Sequence, residues 1–193
     1  MTDPEPPFRL LFVCTANQCR SPMAATLAAR ELLVRNVRAE VASRGITAGG
    51  APAAKGAVKA MAARGLDLSG HRSRIVDRDV LMGSDLVITM ERRHLVEIAE
   101  RDLDVLDHAF TVLELTELAD LVGPRRASQT VAEWVATVSS SRNPTAVLAL
   151  GTSDDLPDPM GGSQRAFRRT ADQLETSISR ILSRLFPEHP LPG

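Results

Sequence analysis

Tyrosine is absent from this chain of 193 residues, and only two cysteines, one tryptophan and four histidines occur. The cysteines, Cys14 and Cys19, stand too close together to staple a chain of this size, which points to a reducing compartment. A structural zinc site needs four ligands, usually cysteine and histidine. No histidine falls in a motif with the cysteine pair, so neither a metal nor any other cofactor is expected. No apolar run is long enough to cross a bilayer. A net charge of -1 supplies no general field for nucleic acid or an anionic membrane. The acidic, proline-rich Met1–Pro7 has the make-up of neither a secretory nor a transit signal and reads as a disordered lead. Cytoplasm is the expected location. With 44% hydrophobic and 24% charged residues, the chain has the material for one sizeable core.

What stands out is Phe12-Val13-Cys14-Thr15-Ala16-Asn17-Gln18-Cys19-Arg20-Ser21-Pro22. It reads as a buried strand, a short loop and the start of a helix, with Ser21 expected as N-cap and Pro22 at the first helical position. A loop at a helix start turns free N–H groups inward, and a cysteine there is pushed toward thiolate. The Arg20 guanidinium adds a bidentate clamp for a tetrahedral oxyanion. Nucleophile, cradle (Thr15, Ala16, Asn17, Gln18, Cys19, Arg20 and Ser21) and cation therefore share one turn of chain. This points to hydrolysis of a phosphate monoester through Cys14.

Further along, apolar runs at 8–13, 37–43, 85–90 and 109–113 read as strands. Helical patterns fall at 22–35, 53–64, 91–101, 131–138 and 163–186. Met23, Leu27, Leu32 and Leu33 are the expected buried face of the first helix. Gly65 suits a helix stop, and Ser139–Ser141 reads as a turn. Strands alternating with helices imply an α/β fold of three layers: a four-stranded parallel sheet with helices on both faces and the phosphate loop between the first strand and first helix. A single domain is expected over 8–187, with 188–193 as a tail. In such sheets the site lies at the carboxyl ends of the strands.

The leaving group needs a proton from elsewhere. Asp154, Asp155 and Asp158 share the polar loop 152–162. Pro157 and Pro159 stiffen the backbone around Asp158, which favours it as a positioned acid. The plainer alternative is a solvated turn, since these are ordinary turn residues.

At this point the chain resembles the low-molecular-weight protein-tyrosine phosphatase family, bacterial type. The loop from Val13 to Pro22, the Asp158-Pro159 and Gly161-Gly162-Ser163 run, the Gly65–Arg74 connection, the strand 85–90 and Phe167–Asp172 carry the likeness, from about Arg9 to Leu185. The resemblance implies a phosphocysteine intermediate on Cys14, phosphate clamping by Arg20, and Asp158 as general acid and then base. It implies that Asn17 holds the loop in an unusual backbone conformation and that Ser21 and His71 support loop and thiolate. It also implies that Cys19 pairs reversibly with Cys14 under oxidation. His94, His108 and His189 read as plain surface residues. The implied partner is a phosphotyrosine protein or another phosphomonoester substrate.

Departures concern the substrate. Met160 stands where the family usually has an aromatic residue after Asp-Pro, and neither Gln18 nor Thr47-Ala48-Gly49-Gly50 offers a ring. Ala16 replaces a common glycine. The segment 118–150 is longer than the corresponding family connection and carries Trp134, either as a lid or as a packed extra helix. Competing readings are an arsenate reductase or arsenate–thiol transferase of the same fold, and a phosphate-binding module without catalysis. The thioredoxin-coupled kind of reductase needs further cysteines, and none follows Cys19.

Overall fold

Strand β1, Phe8–Cys14, has side chains alternating between two cores. Phe8, Leu10, Phe12 and Cys14 join the larger cluster, whereas Leu11 and Val13 join the smaller one on the opposite face. A strand with period-two side chains that are apolar on both faces must be covered on both. In the computed structural model, which describes residues 6–47, 49–143 and 154–187, helices supply both covers.

The chain runs β1, α1 (Arg20–Val34), β2 (Ala39–Gly45), α2 (Lys55–Ala62), α3 (Arg78–Met82), β3 (Leu86–Thr89) and α4 (Arg92–Ala99). A 3-10 turn (Leu103–Asp107), β4 (Ala109–Thr111), α5 (Val112–Val122), α6 (Val131–Ser140) and α7 (Gln164–Leu185) follow. The four strands are parallel in the order β2-β1-β3-β4. The three-layer α/β expectation is borne out. Helices α1, α2, α5, α6 and α7 pack over the larger cluster; α3, α4 and the 3-10 turn cover the smaller.

From β1 the chain crosses to β2 on one side, then returns to place β3 on the other. The segments leaving the carboxyl ends of β1 and β3 therefore diverge around a crevice, the usual ligand position in an open α/β sheet.

Several local expectations are corrected. Helix α1 starts at Arg20, its N-cap is Cys19 with no side-chain cap, and Ser21 is the helix's second residue. Leu33 is 79% exposed, because α1 has only one covered face. Strand β4 stops at Thr111, whose hydroxyl closes a capping box with Glu114 and starts α5. Helix α6 continues through Ser139 to Ser140. Trp134 is 1% exposed and donates from Nε1 to the Gly123 carbonyl at 3.0 Å, so it packs as core and is no rim residue. The rest of the lead and tail, with His189, Ala48, residues 144–150 of the long segment and Thr152 and Ser153, lie outside the described residues.

Candidate active site

The loop after β1 is held by its carbonyls. Thr15 O accepts from Ile46 N at 2.8 Å and Thr47 N at 2.9 Å, Gln18 O accepts from Ala54 N at 2.7 Å, and Asn17 O accepts from His71 Nε2 at 2.6 Å. The N–H groups of Thr15 to Cys19 make no hydrogen bond to a protein acceptor among the described residues. Backbone amides left without acceptors at a helix start are the usual components of an anion-binding concavity.

Asn17 is the loop's internal brace. It is fully buried with φ at 52°, a left-handed conformation that asparagine tolerates better than most residues. Its Nδ2 donates to Ser21 Oγ at 2.9 Å and Ser43 Oγ at 2.8 Å, and its Oδ1 accepts from Arg74 N at 2.9 Å. Ser21 Oγ in turn lies 3.0 Å from Cys14 Sγ and 3.3 Å from Arg44 O. Having one proton, the hydroxyl serves either Cys14 or Arg44. Gly45, beside Cys14 in the sheet, allows this packing. A Cβ there would stand 2.9 Å from Ala16 C and Asn17 N.

Arg20 is buried, and three groups receive its guanidinium. Nη1 donates to the Leu156 carbonyl at 2.9 Å and to Glu91, and Nη2 donates to Asp158 Oδ2 at 2.7 Å. The acidic loop is thereby sorted. Asp154 pairs with the Arg92 guanidinium, Asp155 Oδ1 accepts from Arg92 N at 2.6 Å, and Asp158 alone of the three reaches Arg20. Asp158 Oδ1 also accepts from Met160 N at 3.1 Å.

Glu91 and Arg93, which were missed, and His94, which was read as a surface residue, enter from the end of β3. Burial alone would raise the Glu91 carboxyl, but hydrogen bonds from Arg93 and Arg20 outweigh it and hold it at about 2. His94 corrects the surface reading: it is fully buried, with Nε2 2.9 Å from Thr15 Oγ1. Burial, reinforced by Arg20 and Arg93 and opposed by Glu91, lowers His94 to about 3, so its ring is neutral. Thr15 Oγ1 also accepts from Arg93 Nη2 at 2.8 Å, so it bridges Arg93 and His94. The legible signal was position: these residues follow a buried strand, where parallel sheets put their sites. Cys14 and Cys19 are both buried free thiols. Burial, with Asp158 and Cys14 next, pushes the Cys19 thiol up. Among the described residues no group of three or more His, Cys, Asp or Glu side chains is placed to hold a metal ion.

Residues 9–139 match the family model of low molecular weight phosphotyrosine protein phosphatases. The chain belongs to this family. It is 30% identical over 183 residues to a protein-arginine-phosphatase of Geobacillus stearothermophilus, covering 94% of this chain and 99% of that one. A solved low molecular weight protein tyrosine phosphatase from T. tengcongensis superposes with a TM-score of 0.70 at 26% identity, over 91% of this chain and 98% of that one. An arsenate reductase of Bacillus licheniformis is 43% identical over 81 residues, only 42% of this chain and 55% of that one. None of the aromatic side chains of this low molecular weight phosphatase is exposed. Phe8, Phe12, Phe110, Phe167 and Trp134 are all buried, and Phe186 packs edge-on against Phe8. Met160, 48% exposed, stands beside Asp158 instead.

Proposed function

We propose that the chain is a protein phosphatase that works through a phosphocysteine, with Cys14 as nucleophile, Arg20 as phosphate clamp and Asp158 as general acid and base. One observation carries the reading: Arg20 closes the Cys14 loop and is bonded to Asp158, which arrives from 138 residues along the chain. The phosphoryl oxygens occupy the free amides of the loop and the Arg20 guanidinium, displacing Asp158, which takes a proton from solvent once it leaves the guanidinium and turns toward the leaving group. The Cys14 thiolate attacks phosphorus, and the leaving oxygen departs with a proton from Asp158. Asp158 then takes a proton from water as that water attacks phosphorus, releasing inorganic phosphate and the thiolate. Ser21 Oγ, 3.0 Å from Cys14 Sγ, donates to the sulfur when it carries charge. Its bond from Asn17 keeps it aimed. His71 braces the loop through the Asn17 carbonyl.

Phosphotyrosine on protein is the leading substrate. A phosphorylated arginine is the second reading, favoured by the absence of an exposed ring at the rim and by the name of the full-length Geobacillus relative. Arsenate reduction has less support, because a relay through further cysteines has no residue to use after Cys19. The test gives purified protein an aryl phosphate, phosphotyrosine and phosphoarginine peptides, and arsenate with a small thiol. Aryl phosphate turnover is expected, abolished in Cys14→Ser and reduced about 10²–10⁴-fold in Asp158→Asn. Full activity in Cys14→Ser overturns the reading.

A further inference from the structure

Outside the phosphate site, the most unusual surface is a groove of about 510 Å³ lined by Arg64, Arg165, Arg168, Arg169 and Asp172. Arg64 is paired with Asp172 and Glu175, so Arg165, Arg168 and Arg169 set the groove's charge, in a chain whose net charge is -1. Arg165, Arg168 and Arg169 occupy one face of the first two turns of α7, at i, i+3 and i+4. Like charges at that spacing repel, and cations near a helix N-terminus oppose the helix dipole. No acidic residue in the first turn offsets them. None of the three makes a side-chain ion pair or hydrogen bond among the described residues. By contrast Arg180 and Arg184, further along the same helix, both pair with Asp120. An arrangement that costs local stability and leaves three guanidinium groups open suits an anionic partner.

A chain of contacts links the helix that carries the groove to the phosphate loop. Gln18 O in the loop accepts from Ala54 N at the start of α2, and Gly56 O accepts from Gln164 Nε2 at 3.1 Å, one residue before Arg165. Gly56 also packs directly on Phe167. Asp158 and Arg165 are joined by six residues of the same loop and helix start. At no more than about 3.6 Å per residue, the seven chain steps from Asp158 to Arg165 cap their separation at roughly 25 Å, within reach of an extended peptide of about seven residues.

We propose that this arginine groove docks an acidic segment lying beside the phosphorylated residue of a protein substrate. The inference rests on the phosphatase reading of the loop, and it places substrate selection on a surface distinct from the reacting centre.

The test compares the full chain with Arg165→Gln/Arg168→Gln/Arg169→Gln. Fluorescein-labelled, unphosphorylated peptides carrying four Glu or four Gln residues report binding, and aryl phosphate hydrolysis reports the reacting centre. The natural chain should bind the Glu peptide at least tenfold more tightly than the Gln peptide, with the difference shrinking as salt rises. The triple variant should lose that difference while its kcat/KM on aryl phosphate stays within twofold. Phosphotyrosine or phosphoarginine peptides with Glu flanks should show the same tenfold preference in KM. Equal binding of the two peptides overturns the proposal. So does tighter binding of single-stranded DNA or anionic lipid vesicles through the same arginines, and so does a proportional loss of aryl phosphate turnover. Failure of both proteins to hydrolyse aryl phosphate instead sinks the phosphatase reading, and the peptide measurement still reports on the groove.

Discussion

Asn17 and Cys14 are coupled through one oxygen: Ser21 Oγ accepts from Asn17 Nδ2 at 2.9 Å and lies 3.0 Å from Cys14 Sγ. The left-handed backbone of Asn17 and the environment of the sulfur are thus set by the same hydroxyl. Replacing Ser21 by Ala removes the sulfur's partner and leaves an Asn17 donor short of one acceptor. A charge-assisted hydrogen bond contributes about 1.5–3 kcal/mol. Steady-state assays should therefore find kcat lower by roughly 10–100-fold, and Ser21→Thr should recover part of it. An unchanged kcat in Ser21→Ala would break the coupling.

Gly45 faces the same loop from β2. Its added Cβ in Gly45→Ala would meet backbone atoms of Ala16 and Asn17 at 2.9 Å, where no flexible side chain can move aside. Overpacking of this kind costs about 1–3 kcal/mol. Denaturant unfolding should register that loss, and activity should fall by more than stability explains, because the displaced atoms line the cradle.

Glu91 shares Arg20 with Asp158. In Glu91→Gln one carboxylate anchor of a buried guanidinium becomes neutral, and Arg93 loses its ion pair while keeping its bond to Thr15. The Ki of inorganic phosphate or an aryl phosphonate should rise several-fold, with kcat/KM falling about tenfold. If Ki does not move, Glu91 has no part in setting the clamp.

His94 should make the fold acid-sensitive from an unusually high pH. Its folded value of about 3 lies below the ordinary 6.5, so the unfolded chain binds the proton more tightly. No penalty exists above 6.5; it grows as pH falls from there toward 3. Near pH 5.5 the contribution is a loss of about 1 kcal/mol relative to neutral pH. His94→Gln, which keeps a partner for Thr15, should lack that component in urea titrations at the two pH values.

Cys19 should be dispensable for turnover and needed under oxidation. We expect Cys19→Ser to hydrolyse aryl phosphate at a rate close to the natural chain but to lose activity irreversibly after peroxide, whereas the natural chain recovers with a thiol reductant. Equal recovery of both would remove the proposed Cys14–Cys19 pairing.

How much of this was legible without coordinates depended on the range of the interactions involved. The loop from Cys14 to Ser21 could be read directly, because its residues are neighbours in the chain and free amides at a helix start are a local need; the left-handed backbone at Asn17 was implied only by the family resemblance. Parallel β/α alternation was readable for the same reason, from runs of apolar residues. The position of Ser21 was misread as a cap, since capping and facing the sulfur use the same hydroxyl and only the φ and ψ angles at Cys19 separate them. Strand order was beyond any local signal. Placing β3 beside β1 brings Glu91, Arg93 and His94 to the loop, over a sequence separation of more than 70 residues. The choice among Asp154, Asp155 and Asp158 was likewise tertiary, made by which arginine each carboxylate meets. By itself the sequence determined a cysteine at the head of a short loop that opens a helix. Its charges and partners were decided by the fold, because burial and long-range pairing exist only once the sheet has assembled.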